Sequence, residues 1–470
     1  MGELAGGSPP TGVLELAGEP EPKQAAEALL GAARHPVLRP QIGLWAPALL
    51  RSARPGYGAR ALVDLADRTG AAGGRRLDLA RAPSLPLVLG SSGFLARCLA
   101  REPAWVEELS GALPGPPEAA LLDRDWSAIR RAKYQGLLRV AARDLLGRPF
   151  RESLAELSEL ADRCLRAALA RASHETGTAE PVLLALGKLG GRELNFSSDV
   201  DLLFLYDAGT GPDDLARNES VARLVRLLKR ELEEPGAEGF AYRVDLDLRP
   251  EGRMGPLANS VAAALGYYES FGQEWERQML IRLRYVAGPR ALALGFAREI
   301  APFVYRRLID PGVMHGVRAM KERIEAERRA AGRDLEVSLK EGPGGIRDVE
   351  FLVQSLQLFH GGRQQALRTG NVLEALGALG ELGLLPAETS AALSDCYVWL
   401  RRAEHALQMA EEQQTSAFPR QPAEQTALAR RLGYLDPEGQ RARNRLLDDW
   451  TAVRSQVREH FEALVLRGDP

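Results

Sequence analysis

The chain has 470 residues, 45% hydrophobic and 26% charged, enough to bury a large core and to divide into two or three domains. Its 61 basic and 63 acidic residues leave a formal net charge of -2, which gives no electrostatic reason to expect a nucleic-acid partner and requires any anionic substrate to be met locally. Cys98, Cys164 and Cys396 stand far apart without metal-ligand spacing, so neither zinc nor a disulfide framework is expected and a reducing cytoplasm fits best.

The first residues are rich in Gly, Pro and Glu and predict a disordered tail over 1–23, because they offer too little apolar surface to offset ordering. They carry acids where a signal peptide needs a basic start, and no uncharged run reaches the roughly 18 residues of a membrane span. No membrane partner is expected. From Gln24 the apolar spacing becomes helical, giving a helical region over 24–119 that includes a helix over 93–108. Two long helices are predicted between Trp126 and Ala170, broken near Gly147-Arg-Pro149.

The pattern changes at Pro181. Val182-Leu-Leu-Ala-Leu186 and Val200-Asp-Leu-Leu-Phe-Leu-Tyr206 are short apolar runs, and Tyr242-Arg-Val-Asp-Leu-Asp-Leu-Arg249 alternates strictly, so all three read as strands. Helical spacing over 218–234 separates the second from the third, and 120–302 reads as an α/β domain with few strands. Helices return over 303–470, with long ones at 348–360, 372–382 and 391–412 joined by short Gly- or Pro-bearing links. That pattern predicts a helical bundle. Arg401-Arg402 and the charged stretch 321–329 read as solvated helix faces, and His360 and His405 as packed or solvated imidazoles.

The chemistry concentrates after the first strand, in Gly187-Lys-Leu-Gly-Gly-Arg-Glu-Leu-Asn-Phe-Ser-Ser-Asp-Val-Asp201. Residues i and i+2 of a strand point the same way, so Asp199 and Asp201 project from one face and can converge on a divalent ion such as magnesium. Gly190 and Gly191 let backbone approach a phosphate, with Ser197 and Ser198 as hydroxyl donors and Lys188 as a charge. On the third strand, alternation places Arg243, Asp245, Asp247 and Arg249 on one face. Such charges must pair, meet solvent or bind ions, and a metal with a phosphate satisfies both signs. Gly342-Pro-Gly-Gly-Ile-Arg-Asp348 is either an interdomain turn or an anion cradle; Arg347 and Glu350 are then either helix surface charges or groups approaching a nucleotide from the bundle. Arg277, in Trp275-Glu-Arg277, either fixes its helix or binds phosphate.

The segment 187–201 resembles the nucleotidyltransferase signature of glutamine synthetase adenylyltransferase/adenylyl-removing enzymes. So do Arg243-Val-Asp-Leu-Asp-Leu-Arg-Pro-Glu-Gly-Arg-Met-Gly-Pro-Leu257, Tyr267-Tyr-Glu-Ser-Phe-Gly-Gln-Glu-Trp-Glu-Arg277, Gly342-Pro-Gly-Gly-Ile-Arg-Asp-Val-Glu-Phe351, Leu400-Arg-Arg-Ala-Glu-His405 and Glu412-Gln-Gln-Thr415. The resemblance implies an α+β, mostly helical protein: a small mixed sheet of nucleotidyltransferase fold flanked by helices, then a bundle. Full-length members carry two such units, one removing and one adding AMP, whereas this chain has room for one. Glu193-Leu-Asn-Phe-Ser-Ser-Asp199 resembles the removing half. Ala185 stands where a glycine is usual, and Asp247 where an arginine is usual. By this resemblance Asp199, Asp201 and Asp245 hold two Mg²⁺ ions, and phosphate attacks AMP on a tyrosine of glutamine synthetase, releasing ADP. The alternatives are ATP-dependent adenylyltransfer by the same fold and a non-catalytic half-enzyme that binds glutamine synthetase or a PII-type signal protein.

Overall fold

A computed structural model describes residues 2–16, 18–71, 76–110, 125–208, 214–307, 330, 332, 334–435 and 439–466; the charged stretch 321–329 lies outside them. Helices dominate, and none among the described residues is long and apolar enough to cross a membrane. The break near Gly147 falls where the sequence places it. Asp125 caps the helix Trp126–Leu145 by accepting from the Ala128 amide, Gly147 takes φ +90, and Pro149 opens the helix Phe150–Thr176, which ends on left-handed Gly177.

The sheet runs β3-β2-β1-β5, with β4 also paired to β2. The strands are β1 Val182–Ala185, β2 Val200–Tyr206, β3 Val244–Asp245, β4 Asn259–Ser260 and β5 Arg284–Ala287. Antiparallel pairing joins β1 to β2 and β5, and parallel pairing joins β2 to β3 and β4. The continuous apolar runs of β1 and β2 follow from burial on both faces. Leu183, Leu202 and Phe204 pack with Leu165, Leu228 and their neighbours on one side, while Leu184, Leu203 and Leu205 meet Tyr268, Phe296 and Ile300 on the other. Each such leucine contributes roughly 1.5–3 kcal/mol of burial. A separate core unites the helices Ile346–His360, Val372–Glu381, Ala387–Glu411, Pro422–Arg431 and Gly439–Phe461.

Three expectations need correction. The stretch expected as a disordered tail holds the helices Gly2–Ala5 and Thr11–Leu16, which bury Leu4 and Leu14 in the N-terminal core; two leucines seat a segment whose average composition is polar. The third strand keeps its ladder only at Val244–Asp245, because the chain then turns through Pro250 and the left-handed Glu251 and Gly252. Arg401 is not solvated: it is fully buried between the bundle and the sheet.

Candidate active site

The parallel pairing of β2 with β3 sets Asp201 directly beside Asp245, and Val200 beside Val244. Two carboxylates therefore share a register position at the head of the sheet, with Asp199 two residues upstream. The groups feel each other: burial, then the charge of Asp245 and Asp199, push the Asp201 carboxyl up to about 6 against the pull of Lys340 and Arg282. Asp199 is turned to other partners, its Oδ1 accepting from Arg243 Nε at 2.5 Å and its Oδ2 from Gln414 Nε2 at 2.8 Å. Asp247 is paired with Arg253 at 2.7 Å. Among the described residues, no cation pairs with Asp201 or Asp245, and no three His, Cys, Asp or Glu groups form a closed ion cage. The expected three-acid cluster is thus divided, with Asp199 neutralised by arginine and Asp201–Asp245 left in need of positive charge. Two adjacent carboxylates suit magnesium, which takes phosphate oxygens and water as its remaining ligands.

The turn between β1 and β2 uses its glycines differently from expectation. Gly187, at φ +54, lies so close to the acids that a Cβ there would stand 2.0 Å from Asp201 Oδ2, and the Leu186 amide donates to the Asp201 carbonyl at 2.9 Å. A Cβ on Gly190 would meet the Arg282 carbonyl at 1.9 Å, and one on Gly191 the Gly370 carbonyl at 2.6 Å. The double glycine is therefore filled by protein backbone, not open to phosphate. Ser197 is buried as well, its amide donating to Gln408 Oε1 and its hydroxyl to the Glu412 carbonyl, while Ser198 accepts from the Asn195 amide.

Several predicted phosphate ligands have structural roles. Lys188 Nζ donates to Glu404 Oε2 at 2.7 Å. Arg249 is buried and spends its guanidinium on the carbonyls of Leu246, Arg253, Gly255 and Pro256, so it braces the loop after β3. Its expected place on a shared strand face fails because the strand has ended. Arg277, fully buried, donates to the Phe303 and Val304 carbonyls and pairs with Glu274; its helix-fixing alternative holds. Arg347 pairs with Glu341 at 3.6 Å. Arg243 remains beside the acids, and its Nη2 also donates to the Ser197 carbonyl at 2.9 Å.

Glu350 points inward, accepting from Arg282 at 3.0 Å. Burial would raise its carboxyl, yet Arg282, Arg401, Lys340 and Lys188 bring it down to about 2. His405 is packed between Phe150 and Phe196 and bonded to Asp144 at 2.9 Å. Sequence reasoning did not single out Gly187, Gln414, Lys340, Glu193, Arg282 or Glu404. Gly187, Glu193, Glu404 and Gln414 stand inside recognised segments, whereas Lys340 and Arg282 carry no local signal.

Comparison with known proteins decides the lineage. Residues 83–299 match the family profile described as glutamate-ammonia ligase adenylyltransferase, and 318–465 match GlnD PII-uridylyltransferase. A bifunctional glutamine synthetase adenylyltransferase/adenylyl-removing enzyme of Stenotrophomonas maltophilia (strain K279a) is 40% identical over 375 residues, covering 75% of this chain and 40% of the relative. The chain belongs to this adenylyltransferase family. Family proteins of the same name from Thioalkalivibrio sulfidiphilus and Nitrosococcus oceani are 38% identical over 413 residues and 39% over 404, covering 81% and 82% of the chain. The chain spans about two-fifths of the length of these relatives, 40% to 42%. In family terms, the acid-bearing turn lies inside the adenylyltransferase match and its buried partners Glu350, Arg401 and Glu404 inside the uridylyltransferase match.

Proposed function

We propose that this chain is a magnesium-dependent nucleotidyltransferase that removes AMP from a tyrosine of glutamine synthetase by phosphorolysis, in the cytoplasm. The observation that carries the reading is the paired register of Asp201 and Asp245 on parallel strands, with Asp199 adjacent and a surplus of negative charge. The names of its relatives supply the protein substrate, and the resemblance of 193–199 to the removing unit supplies the direction.

In this reaction an oxygen of inorganic phosphate forms a bond to the α-phosphorus of AMP while the phosphorus–oxygen bond to tyrosine breaks. The tyrosine oxygen leaves with the electron pair and takes a proton from solvent, and ADP is the other product. Phosphate is anionic near neutral pH, so the step needs positioning and charge neutralisation more than a strong base. Asp201 and Asp245, with Asp199 beside them, would hold Mg²⁺, and the ion would supply that neutralisation. Arg243 stands at the mouth to orient phosphate, Gly187 keeps the space beside Asp201 clear, and Lys340 offers a second cation from the bundle. The uridylyltransferase match over 318–465 is the ground for a PII-type signal protein as a partner of the helical region.

The test uses synthetase carrying labelled AMP, incubated with the chain, Mg²⁺ and phosphate, beside a second tube with unmodified synthetase and ATP. Labelled ADP in the first tube is the expected result. Free AMP identifies hydrolysis, activity confined to the ATP tube reverses the direction, and silence in both supports a non-catalytic binding unit.

A further inference from the structure

We propose that Glu404 and Arg401, on the bundle helix Ala387–Glu411, are positioning residues for the acid-bearing turn, so that the bundle completes the site although it contributes none of the three acids. The contacts are specific. Glu404 accepts from Lys188 Nζ at 2.7 Å and from the Asn195 side-chain amide. Arg401 donates to the Glu193 carbonyl and to Asn195 Oδ1, the latter at 2.8 Å, and its Nη1 reaches Tyr397 Oη at 2.7 Å. Tyr397 in turn donates to Glu193 Oε2 at 3.2 Å. Two residues of one helix thus grip Lys188, Glu193 and Asn195, all on the chain between β1 and β2 that ends in Asp199 and Asp201.

A stabilising role alone accounts poorly for this arrangement. Arg401 and Glu193 are both 0% exposed and Glu404 only 2%, and buried ion pairs cost nearly as much in lost hydration as they return; apolar residues of the same volume stabilise as well. What a charged network adds is direction, because each hydrogen bond fixes an angle as well as a distance. Lys188 neighbours Gly187, where an added Cβ would stand 2.0 Å from Asp201 Oδ2. A shift at Lys188 is therefore passed to Asp201 through one residue. Lys188 accordingly serves as the strut between turn and bundle, and the phosphate contacts fall to Arg243 and Lys340. This assignment rests on the proposed function only for what the turn does, not for how it is held.

The experiment uses the full chain. In Glu404→Gln, amide exchange is expected to quicken about tenfold or more across 187–195, the loss of a charge-assisted bond, while β2 and the Phe150–Thr176 helix keep parental rates. Unchanged exchange over 187–195 overturns the proposal whatever the activity, and so does uniform quickening that extends through β2 and the Phe150–Thr176 helix, the sign of general destabilisation. Glu404→Asp, which keeps the charge on a shorter stem, is expected to fall between parent and Gln variant; Asp no better than Gln overturns the charge argument. In steady state, Lys188→Met and Glu404→Gln are expected to lower kcat with the KM for phosphate unchanged, and the double variant to lose no more than the worse single. Additive losses, or a KM for phosphate raised by Lys188→Met, return Lys188 to phosphate binding and overturn the strut. A parent chain inactive in both directions sinks the proposed function alone, since exchange still decides the strut.

Discussion

Replacing Gly187 by alanine separates the catalytic from the structural use of glycine in the turn. The backbone there has φ +54, a conformation that costs a residue with a Cβ roughly 1–2 kcal/mol. The new methyl would lie 2.0 Å from Asp201 Oδ2, and the carboxylate must retreat by about 1.4 Å to restore an ordinary 3.4 Å contact. A side-chain tip can retreat without unfolding the protein, so the damage falls on the position of Asp201. A misplacement of about 1 Å in a catalytic group costs on the order of 100-fold in rate. Gly187→Ala is therefore expected to remain folded, to lose about 1–2 kcal/mol of stability, and to lose about 100-fold in the phosphorolysis assay. Gly190→Ala makes the opposite split, since its methyl would press on the Arg282 carbonyl at 1.9 Å and the Ala185 carbonyl at 2.9 Å, neither of which can swing aside. It is expected to unfold at a lower temperature while the folded fraction retains more activity than Gly187→Ala. Turnover of Gly187→Ala within about threefold of the parent, measured on protein shown folded by circular dichroism, refutes the assignment of Asp201.

Other outcomes follow from the same geometry. Asp201→Asn removes a carboxylate that Asp245 and Asp199 destabilise, so it is expected to raise the melting temperature of the magnesium-free chain while abolishing turnover. Glu350 is held ionised down to about 2, so its contribution is full above the unfolded carboxylate value near 4.5 and is lost as pH falls toward 2. Glu350→Gln is therefore expected to cost roughly 3 kcal/mol at pH 7, with the gap to the parent narrowing below about pH 4.5 in acid-unfolding curves. Arg249→Lys loses the fork that joins four carbonyls, and thermal denaturation is expected to show a loss of about 1–3 kcal/mol.

Much of the site's architecture was legible because it is local. Two apolar runs buried on both faces, a glycine-bearing turn and acids at i and i+2 announce a strand–turn–strand unit with carboxylates at its head. The register that places Asp201 beside Asp245 was not legible, since pairing between residues 44 apart in sequence leaves no local trace. Nor was the end of β3: alternation ran on to Arg249, but the following Pro250-Glu-Gly252 turn stopped the ladder at Asp245. The strand β5 was missed because Arg284-Tyr-Val-Ala287 is short and becomes a strand only by joining the free edge of β1. The buried ion network was hidden for a related reason. Arg401 and Glu404 look like ordinary helix surface, and only the docking of bundle on sheet removes them from water.

Asp247, where the family's pattern has arginine, becomes testable once its surroundings are known. Its carboxylate is half-open to solvent and paired with Arg253, itself 83% exposed, while its amide donates to Asp245 Oδ1 at 2.7 Å. The backbone bond is independent of the side chain, so Asp247→Arg keeps the support of Asp245 and changes only the charge at the rim. Because the side chain contributes nothing buried, stability is expected to move by no more than about 0.5 kcal/mol. The substitution adds two units of positive charge near the mouth through which phosphate must pass, and screening over about 8 Å at physiological salt lets part of that field reach it. The KM for phosphate is expected to fall roughly two- to tenfold, with the benefit shrinking as salt is raised. A KM that is unchanged at both low and high salt would mean that phosphate enters from another side, and that Arg243 is not at its mouth.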